Sequence, residues 1–445
     1  MDISLDKTEN NEALIKIKVN EEDYQPGVDQ KIKEYSKKAN LKGFRPGKVP
    51  PGLIKKMYGQ SFVVDEINKI LSENLSKYIR ESDLQFLGEP LPVREEMSQL
   101  DWDNQKDFEF KYDVGFAGDF DLKVDKKLKV DFLKIKVDEK TVDETVDNVR
   151  RQFGEESATE EVAADDNVTG KLVSSAAEVD RDEVTIDLRE CQKAGNNKLI
   201  GAKVGDTITL DSKKFFTDSD YLARISGMTE DQLKAAKNKF EFTISAIKHI
   251  VPASLDQELF DKTFGKDTVT DEAGFREKVR ETVAGNYDRE SSQLFEYKIK
   301  ELLRDKAKIT LPDNFLKRWL VETNENMTEE LVDREYEMYN KELQWSLISS
   351  QIAKGQEIKA EHEEVMAEAK MQILQQFGGP AIAEQLGDQL DQFANNYLQG
   401  ENGDNYMKVY NQVLSNKIMT YIKEEISKKE KEVSLDDFQK QVSKL

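Results

Sequence analysis

The sequence predicts an α+β multidomain chain in three parts: a mixed helix-and-sheet unit, a β-rich middle and an all-α C-terminal part. Three observations carry this. Phe108, Phe110, Tyr112, Val114 and Phe116 alternate strictly, the period of a half-buried strand. Short β-patterned runs cluster between Val168 and Ile250. Beyond Val251-Pro252 apolar residues recur at helical spacing to the end of the chain. At 445 residues the chain is too long for one core, so two to four domains are expected.

The elements follow in order. Ile15, Ile17 and Val19 alternate with lysines and predict a strand. After Pro26-Gly27, the positions Val28, Ile32, Tyr35 and Ala39 form one apolar helical stripe. Val63, Ile67, Leu71, Leu75 and Ile79 mark a second, longer helix, and Gly88, Pro90 and Pro92 break the stretch that follows. Residues 1–115 are therefore expected to be an α+β unit, two helices packed on a small antiparallel sheet. Residues 116–153 read as a connector packing with the C-terminal domain, extended over Leu128–Val137 and helical over Val142–Val149. The acidic run Gly154 to Asp166 suggests a boundary. Within 154–250, candidate strands are Val168–Val173, Val184–Leu188, Thr207–Leu210 and Lys239–Ile247, with Met228–Ala236 helical and Leu199 to Asp206 a turn-rich link. Residues 251–445 are expected to be helical, with helices at Phe275–Leu303, from Phe315, and at Glu329–Ile352, Ile358–Phe377, Ala381–Leu398, Tyr406–Ser427 and Leu435–Val442. Breakers fall at Leu311-Pro312, Gly355, Gly378-Gly379-Pro380 and Gly400 to Gly403.

Charge narrows the function classes. Charged residues make up 35% of the chain and mean hydropathy is -0.70, which suits an elongated, helical-armed molecule. A net charge of -22 disfavours general affinity for nucleic acid, so any RNA contact must be local. One local patch exists: Lys31, Lys33, Lys37, Lys38, Lys42, Arg45, Lys48, Lys55 and Lys56 stand against a single acid, Glu34. Cys191 is the only cysteine, which leaves no disulfide framework and no thiolate metal site. His249 and His362 have no motif around them and read as structural. There is no secretory signal at the N-terminus and no apolar run long enough to span a membrane, so a cytoplasmic protein is expected. Phosphate-binding Gly-rich loops, His-based metal motifs and nucleophile–base sets are missing from the sequence, so no catalytic residue, cofactor or metal is assigned.

The patch centres on Gly43-Phe44-Arg45-Pro46-Gly47-Lys48-Val49-Pro50, between the two predicted helices. An apolar ring and a cation set among glycines and prolines are placed for presentation. Phe44 offers an apolar anchor, and Arg45 a planar guanidinium for a carboxylate or phosphate. The segment resembles the G-F-R-x-G-x-x-P ribosome-binding signature of the bacterial trigger factors, continuing through Met57-Tyr58-Gly59. Tyr112-Asp113-Val114-Gly115 and Ile309-Thr310-Leu311-Pro312 resemble further segments of that family. Position 46 is Pro where some members carry Lys.

The resemblance implies a ribosome-binding domain, an FKBP-like prolyl isomerase-type domain and a helical chaperone domain with arms, in that order. It assigns ribosome binding to Gly43, Phe44, Arg45, Gly47, Lys48 and Pro50. The implied partners are the large ribosomal subunit, through a tunnel-exit ribosomal protein and nearby rRNA, and nascent or unfolded polypeptides. A homodimer away from the ribosome stays open. The implied function is an ATP-independent chaperone at the tunnel exit.

In the middle domain the FKBP-like pattern is degenerate. Leu199, Ile200, Phe215 and Phe240 match parts of a proline-binding pocket, whereas Leu172 stands where an aromatic is expected and Ser174 where a Gly is. Simple core is the favoured reading of Phe215, Phe216, Phe240 and Phe242, so isomerase activity is expected to be weak or absent. Two other readings remain: a peptidyl-prolyl isomerase with substrate-delivering flanks, and a free scaffold without ribosome contact. The helical part adds Met327, Met338, Met366, Met371, Met407 and Met419 among aromatics such as Trp319, Trp345, Phe377, Phe393 and Tyr397. Such surfaces re-pack around varied apolar ligands.

Overall fold

Strand alternation and two amphipathic helices build the N-terminal part of this computed structural model. β1 (Asp2–Lys7), β2 (Glu12–Val19), α1 (Glu21–Lys38), α2 (Pro51–Glu81), β3 (Phe86–Pro92) and β4 (Phe108–Phe116) follow in order. The strands form one antiparallel sheet, β1-β2-β4-β3, in which Ile17 faces Phe110 and Ile15 faces Tyr112 across β2 and β4. Ile15, Ile17, Phe108 and Phe110 share a core with Val28 and Ile32 of α1 and Ile54 and Ile67 of α2. The structure describes residues 1–42, 44–45, 47–94, 100–102, 105–174, 179–217, 221–237, 239–377, 379, 386–387, 389–400 and 403–445. These divide into two units, Met1–Phe132 with Leu294–Lys429, and Leu133–Gln293 with Glu430–Leu445.

Three N-terminal expectations are corrected. α1 begins at Glu21, ahead of Pro26, because the Asn20 N–H donates to the Asp23 carboxylate at 2.8 Å and Glu21 and Glu22 join Asp23 in the first turn. Pro26 then forfeits a single backbone bond. The segment read as broken by Gly88, Pro90 and Pro92 is the edge strand β3, where proline is tolerated. Gly88 has φ +72, and a Cβ there would lie 2.9 Å from the Trp319 ring, so only glycine admits that close approach. Tyr35 was expected in the buried stripe of α1, yet the residue that follows Tyr24, Val28 and Ile32 into the core is Ser36.

The second unit starts in β5 (Lys129–Ile135), followed by α3 (Glu139–Gln152). Asp138 caps α3, its carboxylate accepting the Thr141 N–H at 2.8 Å. A five-stranded antiparallel sheet comprises β6 (Glu155–Thr159), β7 (Asn167–Ser174), β8 (Val179–Asp187), β9 (Thr207–Asp211) and β10 (Lys239–Val251). β10 is the hub. β7 runs along one of its sides; β9 pairs with its start, Lys239–Thr243, and β6 with its end, Ile247–Val251. The acidic run read as a boundary thus carries β6, whose exposed side chains, Glu156 paired with Lys248 of β10 at 2.6 Å among them, have no apolar period to betray it. Short helices α4 (Lys193–Leu199), α5 (Ser212–Phe215), α6 (Tyr221–Ser226) and α7 (Glu230–Ala235) cover the core of Leu172, Ile186, Leu210, Phe216 and Phe242. Cys191 is buried there, and desolvation together with Asp187 and Glu190 pushes its thiol up to about 12, so it is inert near neutral pH. His249 Nδ1 lies 2.7 Å from the fully buried Asp166 carboxylate, which also accepts the Ala163 N–H at 2.7 Å.

Helices α8 (Gln257–Phe264), α9 (Glu272–Ala307), α10 (Asp313–Thr323), α11 (Glu329–Gly355), α12 (His362–Gln376), α13 (Gln389–Gln399) and α14 (Asp404–Glu425) follow. α9 continues unbroken through Gly285. Residues 381–385, the start of the helix expected at Ala381–Leu398, lie outside the described residues, as do Gly378 and Pro380. The all-helical expectation fails at β11 (Ser427–Val433), which pairs with β5 before α15 (Leu435–Val442) closes the chain. The β11 sequence SKKEKEV is charged on both faces, so a period-2 apolar signal was never there to read. In the first unit, Leu303, Leu316, Ile348 and Ile422 centre one helical core, and Val365, Ala369, Ala394 and Val409 centre a smaller one across α12, α13 and α14.

Candidate functional site

The candidate site is the loop between α1 and α2. Its base is tied to α1 at several points. The Ser36 hydroxyl donates to the Val49 carbonyl, the Gly47 N–H donates to the Ala39 carbonyl at 3.3 Å, and Val49 itself is 2% exposed. The Lys48 N–H closes a turn on the Arg45 carbonyl at 2.9 Å, and the Phe44 N–H one on the Leu41 carbonyl at 3.0 Å. Pro50 caps α2 and Pro51 opens it, where a fixed φ suits the first helical turn. At the tip, Phe44 is 39% exposed and Arg45 and Lys48 are exposed. A large apolar ring and a guanidinium are thus held in water by a stiff frame. Gly43 and Pro46 lie outside the described residues.

Gly47 shows why the frame needs glycine. Its φ is +74, and a Cβ there would sit 2.8 Å from the Lys37 carbonyl oxygen. Gly47→Ala is expected to cost about 1–2 kcal/mol from the left-handed backbone alone. Urea denaturation followed by a probe on the N-terminal domain checks this; an unchanged midpoint would show that the loop simply rearranges.

Electrostatics sharpen the picture. Among the described residues, Lys31 has an ion-pair partner, Glu66 at 2.9 Å. Lys33, Lys37, Lys38, Lys42, Arg45, Lys48, Lys55 and Lys56 are exposed, and no described carboxylate lies within 4.0 Å of them. A surface with 88 acids and 66 bases would ordinarily pair such groups, so the collar is positive by arrangement.

Sequence reasoning missed two features. Ser36 and Val49 tether the loop; the four-residue spacing Val28, Ile32, Ser36 was the available signal. On the seam between α1 and α2, Tyr35, Tyr58 and Phe62 cluster with ring centroids 5.2 to 6.2 Å apart, and Tyr35 is 41% exposed. The Tyr58 side chain beside it raises the Tyr35 phenol above its ordinary value, so that phenol is neutral near pH 7.

The four FKBP-pocket candidates behave differently. Leu199, Phe215 and Phe240 are buried in the domain core, with Phe240 1% exposed, and only Ile200 reaches solvent. In the helical part, Trp345 and Met419 are buried, whereas Met338, Met371, Met407, Phe377 and Phe393 are exposed. A groove of about 760 Å³ runs between α12 and α14, lined by Ile358, Met371, Val413 and Tyr421 among others. Among the described residues no helix is long and apolar enough to cross a membrane, and no group of three or more His, Cys, Asp or Glu could hold a metal.

Comparison with known proteins covers nearly the whole chain. Residues 1–149 match the family model of bacterial trigger factor protein, residues 156–252 that of the trigger factor FKBP-like domain, and residues 291–442 that of the trigger factor C-terminal domain. The trigger factor of Francisella tularensis subsp. holarctica (strain LVS) is 26% identical over 391 residues, 82% of this chain and 84% of that one. The trigger factor of Salinibacter ruber is 21% identical over 453 residues, 95% of this chain and 93% of its own. A solved structure described under promiscuous substrate recognition by the trigger factor chaperone covers 95% of this chain and 99% of its own, at 15% identity and a TM-score of 0.46.

Proposed function

This chain belongs to the trigger factor family, and from that premise we propose that it docks beside the exit of the ribosomal tunnel through the Phe44–Pro50 loop and shields nascent polypeptides there without ATP. Membership supports a chaperone role. The finer reading rests on one observation: a tied loop that holds Phe44 and Arg45 in water, in a basic stretch whose exposed cations have no described carboxylate partner, on a chain of net charge -22. Such a surface fits rRNA phosphates and a ribosomal-protein carboxylate.

Client binding is assigned to the helical part. The exposed methionines and aromatics there are a scattered, adaptable apolar surface. Each contact buries little area at roughly 25 cal/mol per Å², so clients are held weakly and released without a nucleotide-driven step. The isomerase reading loses ground, because a proline ring finds only Ile200 accessible among the four matched positions.

Salt titration of ribosome binding tests the docking reading. If about four of these cations neutralise phosphates, a fourfold rise in salt weakens binding roughly 50- to 150-fold. Co-sedimentation with large subunits should therefore be clear near physiological salt and lost at several times that. A complex indifferent to salt would place the contact on an apolar surface elsewhere.

A further inference from the structure

Tyr35, Tyr58 and Phe62 form an aromatic patch that the proposed loop contact does not use. Its position is set by helical spacing. Lys38 is three residues after Tyr35 and Lys55 three before Tyr58, which puts both lysines on the same side as the rings, toward the loop. Neither lysine has a described carboxylate partner. On the other side, Lys31 and Glu66 neutralise each other at 2.9 Å. The nearest acid on α1, Glu34, accepts a hydrogen bond from the Gln30 amide at 2.9 Å.

We propose that this seam is a stacking platform for an unpaired RNA base, with Lys38 and Lys55 taking the flanking phosphates. An exposed Tyr35 ring beside the partly buried Tyr58 and Phe62, next to cations with no described carboxylate partner, is the chemistry of single-stranded nucleic-acid binding, where every base has a π-face and the backbone follows the charge. An apolar peptide would leave those ammonium groups without a counter-charge. A second copy needs roughly 800 Å² per partner, far more than three half-covered rings supply. The inference rests on the docking reading only for the source of the RNA, an unpaired rRNA loop.

The test uses the full chain and fluorescence anisotropy with two probes, an oligoadenylate of about twelve nucleotides and an abasic backbone of equal length. Wild type should bind the base-bearing probe about tenfold more tightly. Tyr35→Leu should erase that preference and Tyr35→Phe should keep it, while the abasic affinity stays the same in all three. Equal binding of both probes by wild type, or a preference that survives Tyr35→Leu, overturns the platform. So does a wild-type dimer, seen by sedimentation velocity, that Tyr35→Leu dissociates with probe binding unchanged, since the seam would then be a self-interface. Ribosome pelleting separates the two claims. Pelleting without base preference defeats the platform alone; base preference without pelleting defeats the docking reading alone.

Discussion

A chain carrying Phe44→Ala and Arg45→Ala is expected to remain in the supernatant when large ribosomal subunits are pelleted at moderate salt, while wild type pellets with them. Aromatic and arginine anchors at interface centres each cost about 2 kcal/mol or more when truncated, so the pair should weaken docking by a hundredfold or beyond. The effect should be on binding alone. Both side chains are exposed, and neither has a side-chain hydrogen bond or ion pair among the described residues, so their removal should shift stability by no more than about 0.5 kcal/mol. Lys48→Gln is the useful contrast. One peripheral charge should lower the salt slope and the on-rate slightly and leave the complex pelletable. A double variant that is folded and still pellets like wild type would move the docking site off this loop.

The loop could be read from the sequence because its chemistry is local. Its glycines and prolines mark a presented loop by residue type, and nine bases against one acid are visible without a fold; that α2 already begins at Pro51, ahead of the apolar stripe read from Val63, was not. What the sequence hid depends on contacts between distant residues. The Ser36–Val49 bond crosses thirteen positions, and Tyr35 keeps the spacing of a core residue while resting half in water against Tyr58 and Phe62. β2 and β4, with strongly apolar faces, were recovered, whereas β1, whose Ile3 and Leu5 are only partly buried, was not. β6 and β11 were not, because their backbones pair while their side chains stay solvated, and hydrophobic periodicity reports side chains only. β3 was hidden by its own breakers, which an edge strand accommodates.

Phe240→Ala is expected to destabilise the β-rich domain by about 3–5 kcal/mol, the range for emptying a buried phenylalanine site. The geometry favours the upper part of that range. Phe240 sits on the hub strand β10 opposite Leu210, and Leu199, Phe215 and Phe216 belong to the same buried cluster. Chemical denaturation read by a probe in that domain measures the loss, and ribosome pelleting should be retained, because the loop belongs to the other unit. This variant also separates core from pocket. A ring lining an open proline site would, on truncation, cut turnover of an X-Pro peptide and leave the melt nearly unchanged, since one of its faces would already be in water. A large stability loss follows only if the ring is enclosed on all sides. Ile200→Ser gives the complementary reading: its side chain is exposed, so the fold should tolerate the change, and a drop in X-Pro turnover there would restore an isomerase role to a domain whose aromatic residues are otherwise committed to packing.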